Sequence, residues 1–470
     1  MQSNTADGLF TKPSKKKSKT WSKEMKQKTV SEKLAKFIHN LAYQDIPQEV
    51  RDLVKLRILD ALSCAVAGRG LPHSKIASKV AQSSTGKSTI IGCHKKVALP
   101  DAVLANGVMI HSIVQDDILS GLVHPGSAVV STVIGVGEEI GASGTEVLTA
   151  TVAGYELVGR IMSATGRFSV SSFRPSPILT TFGATAAAGK LMRINEKQLV
   201  NAIGYAASLT PGTPNEVWWS GTMEGMFQAG VSARIGLLSV ILAQEGATSA
   251  PQALEGKDGF FRCWGGSTAK MEKAIENLGQ DFVISRMRIK AFPVCGANQR
   301  PIQIAKPLAE HKLKASDIAK IVERVGSGTT SYAGLDFTGP FETQFQALMS
   351  MQFCAAAAVL GKPVTSAKFF AEHYNDPEVG ELAKKVELME EEGRSLPLLE
   401  VHTIDGKIYT TGEEMPDRSI YIPTKENMAD KFRLLCTDFF GEKNTNQIID
   451  IIMDMDKVDN IRRLTAKLRG

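Results

Sequence analysis

Gln115-Asp-Asp-Ile-Leu-Ser-Gly-Leu-Val-His-Pro-Gly-Ser-Ala-Val-Val130 sets two adjacent carboxylates, Asp116 and Asp117, ahead of His124. Pro125 biases that histidine towards an extended backbone. Ile113 and Val114 precede the loop, and the apolar run from Ala128 to Gly137 follows it. A polar loop is thus pinned between two segments that read as buried, and loops held by rigid neighbours are where binding and catalytic groups concentrate. The plain alternative is that Asp117 or Ser120 caps a helix and His124 satisfies a backbone carbonyl.

Working outward from the loop, helical periodicity dominates. Val30–Leu41, a second helix from Pro47 to Gly68, Lys75–Gln82 and Asp101–Ile113 lead into it, and Ser88–Gly92 reads as a short turn or strand. Val129–Ile140, Gly144–Thr165, Thr180–Leu191, Glu196–Leu209 and Met226–Gln244 continue in the same style, with Ala and Gly crowding their faces. Near Phe282 the pattern changes to alternation. Val283–Lys290, Ile318–Val325, Lys385–Met389 and Leu398–Thr403 read as strands, the last turning at Asp405-Gly406 into Lys407–Thr411. Helices Gln299–Glu310 and Glu342–Leu360 lie between them, and helical signals return after Pro416. The expected fold is mainly α. A large all-helical domain (29–281) carries an inserted, smaller α+β lid (282–413), and residues 414–470 rejoin the helical part.

At 470 residues the chain exceeds one ordinary core. The formal net charge of +6 resides in residues 1–28, where eight lysines face only Asp7 and Glu24, so the body sums to zero. That distribution argues for a disordered Lys-rich tail and against a nucleic-acid footprint on the globular part. The six cysteines are scattered without C-x-x-C or metal spacing, and each charge-free stretch is broken by Gly, Pro or polar residues. A reduced, cytoplasmic setting with no membrane span is expected.

The loop Asp-Asp-(six residues)-His-Pro-Gly-Ser, Gly144-Thr-Glu-Val-Leu-Thr-Ala150 with Gly154-Tyr-Glu156, the Phe182-Gly-Ala segment and Lys290-Ala-Phe-Pro-Val-Cys295 together resemble the MmgE/PrpD family. That family includes 2-methylcitrate dehydratases, cis-aconitate decarboxylases, and isomerases or epimerases of related polycarboxylates. The resemblance spans roughly residues 30 to 470. It implies a homodimer, an active site between a helical domain and a lid, a small polycarboxylate as partner, and no metal or organic cofactor.

Carried over residue by residue, His124 matches the family's active-site histidine, and Asp116 and Asp117 its paired aspartates. Departures are equally specific. The earlier aspartate is Val114 here, a histidine after the pair is Ser120, and the Thr after the pair is Ile118. The His-Pro ahead of the Gly-Ala helix is Arg174-Pro175, the lysine of Lys-Pro-x-His-x-Gly is Gly225, and its companion histidine is Gln228.

Dehydration and decarboxylation lean on more imidazole and lysine than this pattern retains, whereas a 1,3-proton shift needs a single base. The sequence therefore favours an isomerase of an aconitate-type polycarboxylate. His124 is the expected base and Asp117 its orienting group. Arg174, with Arg300 second, is the expected carboxylate clamp. Asp116, Ser120 and Gln228 complete the binding set, Trp218 with Trp219 is either a water-excluding wall or simple core packing, and Glu224 is either a substitute for the lost groups or an ordinary first-turn acid. A 2-methylcitrate or citrate dehydratase, a cis-aconitate decarboxylase and a non-catalytic polycarboxylate binder are the alternatives.

Overall fold

The computed structural model describes residues 28–469 apart from 167, 169–171, 415 and 416. All of the lysine-rich tail except Lys28 lies outside the described residues.

Local chemistry sets the helix starts. At Thr29 the hydroxyl accepts the Glu32 N–H while the Glu32 carboxylate accepts the Thr29 N–H, a reciprocal cap that opens α1 (Val30–Asn40). Pro47 precedes α2 (Gln48–Gly68), and prolines stand in the first turns of α3 (Pro72–Ala81) and α4 (Leu99–His111), where a missing N–H costs nothing. The strands β1 (Ser88–Thr89) and β2 (Lys96–Val97) form a minimal antiparallel pair. As at α3, a proline starts two further helices before their apolar periodicity indicates: α5 (Pro125–Ile140) and, beyond α6 (Gly144–Thr165), α7 (Pro175–Leu191). The residues immediately before them are His124 and Arg174. The helical part continues with α8 (Glu196–Leu209), α9 (Glu216–Ser220), α10 (Glu224–Gln244) and α11 (Phe260–Gly265).

The core packs α10 against α4 and α7, α6 against α7, and α4 against α5. Small residues permit the approach. A Cβ added at Gly230 of α10 would stand 2.3 Å from the Leu104 carbonyl of α4, and one added at Gly107 would stand 2.9 Å from the Gly230 Cα. Helix α10 is long and apolar enough to cross a membrane by length and composition, with a mean hydropathy of 1.6 in its most apolar window. Sequence reading did not flag it; 56% of that window is buried against its neighbours, as befits the central helix of a folded core.

Beyond residue 290 a mixed sheet appears in the order β4 (Val386–Glu391), β3 (Ile318–Gly326), β5 (Leu398–Thr403), β6 (Ile408–Thr411), with β3 parallel to β4 and antiparallel to β5. Helices α12 (Gln299–Ala305), α13 (Gln344–Met349), α14 (Met351–Val359), α15 (Ala367–Glu372) and α16 (Pro377–Ala383) accompany it.

Two expectations fail here. Val283–Lys290 is not a strand: Val283–Arg286 is a 3-10 turn with Val283 and Ile284 buried in succession, and only Arg288 bridges, to Ile118. The buried Glu156 carboxylate accepts the Val283 N–H and so withdraws it from any ladder. The expected helix Glu342–Leu360 is broken at Ser350, whose backbone is extended and whose hydroxyl caps α14 by accepting the Phe353 N–H. The chain ends with α17 (Lys425–Phe440) and α18 (Glu442–Met453) packed on α2, and α19 (Arg462–Lys467) against α5.

Candidate active site

His111 closes α4, and the chain then enters the Asp116-Asp117 loop through Val114, whose φ of 51° is costly for a β-branched residue. Asp116 is fully buried. Both of its oxygens lie 3.0 Å from Nδ1 of His111, and Oδ1 lies 3.5 Å from Nδ1 of His124. The His124 Nδ1 is also 2.9 Å from the Asp117 carbonyl. A carbonyl only accepts, so Nδ1 carries the hydrogen and Nε2 of His124 is left as a free base. The two imidazoles stand 4.8 Å apart, centroid to centroid.

Asp117 acts through two different atoms. Its carbonyl sets the His124 tautomer, while its carboxylate faces away, accepting the Gly126 N–H at 3.0 Å and the Tyr155 hydroxyl at 2.6 Å. Glycine at 126 lets the carboxylate sit this close, since a Cβ there would stand 2.8 Å from Asp117 Oδ1 and push it aside. The sequence assigned orientation of His124 to Asp117; the atom that does so is its backbone carbonyl, with Asp116 beside it.

Arg174 meets the other ring nitrogen of His111. Its Nη2 lies 3.2 Å from Nε2 of His111, which fixes His111 as a neutral ring donating to Asp116 and accepting from the guanidinium. The guanidinium carbon sits 3.2 Å from the centroid of Trp218, and Nη1 is buried without a partner. A stacked, dehydrated arginine with one unpaired edge is built to receive a carboxylate. The N-termini of α5 and α7, immediately after His124 and Arg174, add positive ends of helix dipoles at the same place.

Lys290 completes the set. Fully buried, it donates to the Val114 carbonyl at 2.7 Å and the Val294 carbonyl at 3.2 Å, which leaves one of its three N–H bonds unspent.

Burial lowers the pKa of His124 well below its ordinary value, with Lys290 adding to the fall, and lowers that of His111. Both rings are neutral near pH 7. Burial lowers Lys290 to about 8 and Arg174 to about 10. Burial would raise Asp116, but His111, His124 and Lys290 outweigh it and hold the carboxyl well below the usual range. Asp117, raised by burial and by Asp60 against the pull of Arg57, reaches about 7. Ligating atoms of His111, Asp116 and His124 lie within 4.8 Å of one another, as a metal site would need. However, Lys290 and Arg174 crowd the same carboxylate, and both Nδ1 atoms are spent as donors, so the trio fits a hydrogen-bonded base better than a cation.

Of the residues expected from sequence, His124, Asp116, Asp117, Arg174 and Trp218 converge. Gln228 stands on α10, half-buried, with its Oε1 buried and unpartnered. Three others make their contacts elsewhere. Ser120 is exposed on a tight turn with a φ of 50°. Glu224 is the exposed first residue of α10, the ordinary helix-start acid. Arg300 donates to Gln303 and to the Glu414 carbonyl, held within the segment that carries the sheet. Trp219 points outward, 49% exposed, unlike its neighbour. The expected loss of imidazole and lysine is also corrected, since His111 and Lys290 supply one of each from other chain positions. Sequence reasoning gave His111, Lys290 and Tyr155 no role, although the last two stand in the motifs that carry the family resemblance. A lysine bracketed by Ile289 and Ala291-Phe292 was the available signal, because an unpaired cation in an apolar run is rarely idle.

Comparison with known proteins agrees with this architecture. The MmgE/PrpD N-terminal domain matches residues 32–272 and the MmgE/PrpD C-terminal domain residues 292–457. The cis-aconitate decarboxylase of Aspergillus terreus (strain NIH 2624 / FGSC A1156) is 24% identical over 473 residues, covering 93% of this chain and 96% of its own length. The cis-aconitate decarboxylases of Homo sapiens and Mus musculus are each 25% identical over 95% of this chain, covering 96% and 94% of their own lengths. With both halves matched in order around one buried site, the chain belongs to the MmgE/PrpD family.

Proposed function

We propose that this protein is a cofactor-independent lyase that decarboxylates a cis-aconitate-type unsaturated tricarboxylate, working as a homodimer. The observation that carries the reading is the unpartnered, buried Nη1 of Arg174, together with a second buried cation, Lys290, close enough to Asp116 and His124 to lower the pKa of both. Two desolvated cations can hold the substrate's permanent carboxylates and stabilise the charge that develops as carbon dioxide leaves. The names of the relatives support the choice of substrate.

The chemistry balances with this chain's own groups. The bond between the substrate's methylene carbon and its carboxylate breaks, and carbon dioxide departs as a neutral molecule. The electron pair shifts through the adjacent double bond to the carbon next to a remaining carboxylate. Lys290, an ammonium poised near pH 8, delivers the proton there. Itaconate is the product.

A second reading, isomerisation, draws on the free Nε2 of neutral His124. Removing a proton from the same methylene carbon generates a like allylic carbanion, so the two reactions differ only in the leaving group. The sequence placed isomerisation first because it found too few imidazole and lysine groups; His111 and Lys290 remove that objection.

Incubating purified protein with cis-aconitate and following proton NMR together with headspace carbon dioxide tests the proposal. Equal amounts of itaconate and carbon dioxide are expected. Trans-aconitate alone would transfer the assignment to the isomerase, citrate would restore a hydratase, and an unconsumed substrate would defeat the aconitate reading.

A further inference from the structure

From Ala61 to Pro100 the chain carries no aspartate or glutamate but six basic residues, Arg69, Lys75, Lys79, Lys87, Lys95 and Lys96, although residues 29–470 as a whole sum to zero charge. Folding gathers three of the six round one groove of about 720 Å³, bounded by the end of α2, by α3 and by the turn through Gly92. Arg69, Lys75 and Lys79 line it with Ser78 and Gln82, and no carboxylate does. The groove shares no residue with the void beside Arg174, and its volume falls in the range of small-molecule sites.

The three cations are differently held. Arg69 is fixed in place: its guanidinium carbon stands 3.7 Å from the centroid of Phe439, and its Nη1 donates to the Val66 carbonyl at 2.9 Å. That bond spends one of five N–H groups. Gly92, with a φ of 76°, makes room for the stack, since a Cβ there would stand 3.2 Å from Arg69 Cδ and 3.3 Å from Phe439 Cζ. Lys75 and Lys79 are exposed on α3, four residues apart, and neither ammonium has an ion-pair or hydrogen-bond partner among the described residues. Like charges at that spacing oppose each other unless an anion answers both. Lys96 differs from them, being paired with Glu138 at 2.8 Å.

We infer that this groove is an anion site for a small molecule carrying a di- or triphosphate. Three cations without a carboxylate match a compact group of three or four negative charges, with the planar arginine fork taking two phosphate oxygens and the lysines acting as point charges. Four residues of helix set Lys75 and Lys79 about 6 Å apart along the axis, a span suited to linked phosphates. The Gln82 side chain, without a partner among the described residues, adds neutral donors at the same groove. The site stands independently of the proposed reaction, because its residues take no part in the Arg174 pocket.

Calorimetric titration of the full chain with inorganic pyrophosphate, ADP and orthophosphate, all free of divalent metal, tests the inference. Saturable binding of one pyrophosphate per chain is expected, with orthophosphate about tenfold weaker or more for the loss of one charge-assisted contact. ADP should bind as well. An affinity above that of pyrophosphate would assign a nucleotide as the source of the phosphates, and an equal affinity the inorganic anion. Lys75→Glu with Lys79→Glu, a change confined to exposed side chains, should weaken pyrophosphate at least about tenfold, and so should Arg69→Gln. Lys87→Glu, in the same carboxylate-free stretch but outside the lining, should leave it within about twofold, and Arg174→Gln should leave it unchanged. Absence of saturation, an equal loss in Lys87→Glu, loss in Arg174→Gln, or citrate binding as tightly as pyrophosphate would overturn the site.

Discussion

At the scale of single residues, the site is a set of buried charges held by named groups, with one edge of Arg174 left unpartnered. Asp116 is shared by two imidazoles; His111 is locked neutral between Asp116 and Arg174; His124 is held by a carbonyl so that only Nε2 is offered. Replacing Arg174 by Gln removes the one guanidinium edge left for substrate, and steady-state kinetics should show KM rising about 10- to 100-fold, the value of one charge-assisted hydrogen bond. Lys290→Gln keeps the hydrogen-bonding shape but not the acid, and kcat should fall by about 10² to 10⁴. The pH profile gives the sign: Lys290 must be protonated to act, its pKa is about 8, and so turnover should decline as pH rises through 8. A kcat that stays level from pH 7 to 9.5 would remove Lys290 from the proton-transfer role.

Elements position those residues, and here the reach of sequence reasoning can be judged. Helices with apolar periodicity and side-chain caps, such as α6 behind Ser143 and α8 behind Asn195, were legible to the residue, because cap and period agree. Those opened by proline were placed several residues late, since Pro125 and Pro175 contribute no periodicity, and that error hid how His124 and Arg174 are presented. His124 and Arg174 were found because each stands before a proline in a polar interruption. His111 and Lys290 were not, because each lies inside an apolar stretch and is functional only through contacts distant in sequence. The loop is also braced by an element far along the chain: Lys431 of α17 donates to Asp60 of α2 at 2.6 Å and to the Gln115 carbonyl at 3.1 Å. Asp60 is 1% exposed, so Lys431→Met strands a buried carboxylate. Chemical denaturation should report a loss of about 3–5 kcal/mol, and a loss under 1 kcal/mol would mean that the bridge is incidental.

For the whole molecule, closure is the central property. The void beside Arg174 is about 10 Å³, room for about one water, so a tricarboxylate enters only if the elements that line it move apart. The sheet carries its own pH sensitivity. Glu323 on β3 is fully buried with both carboxylate oxygens unpartnered, and burial raises its pKa from 4.5 to about 8. The folded state therefore holds a proton that the unfolded state has released between pH 4.5 and 8, and this contribution to stability falls as pH rises across that window. Glu323→Gln should flatten the dependence of the unfolding midpoint on pH between 5 and 8; a slope equal to that of the parent would contradict the assignment. The proposed reaction passes through one allylic carbanion, formed by loss of carbon dioxide and quenched by Lys290. Turnover of cis-aconitate in deuterium oxide, with proton and deuterium NMR of the product, reads that directly. One deuterium on the sp³ methylene carbon of itaconate, with two hydrogens retained on its alkene carbon, is the predicted result, and deuterium on the alkene carbon instead would contradict it.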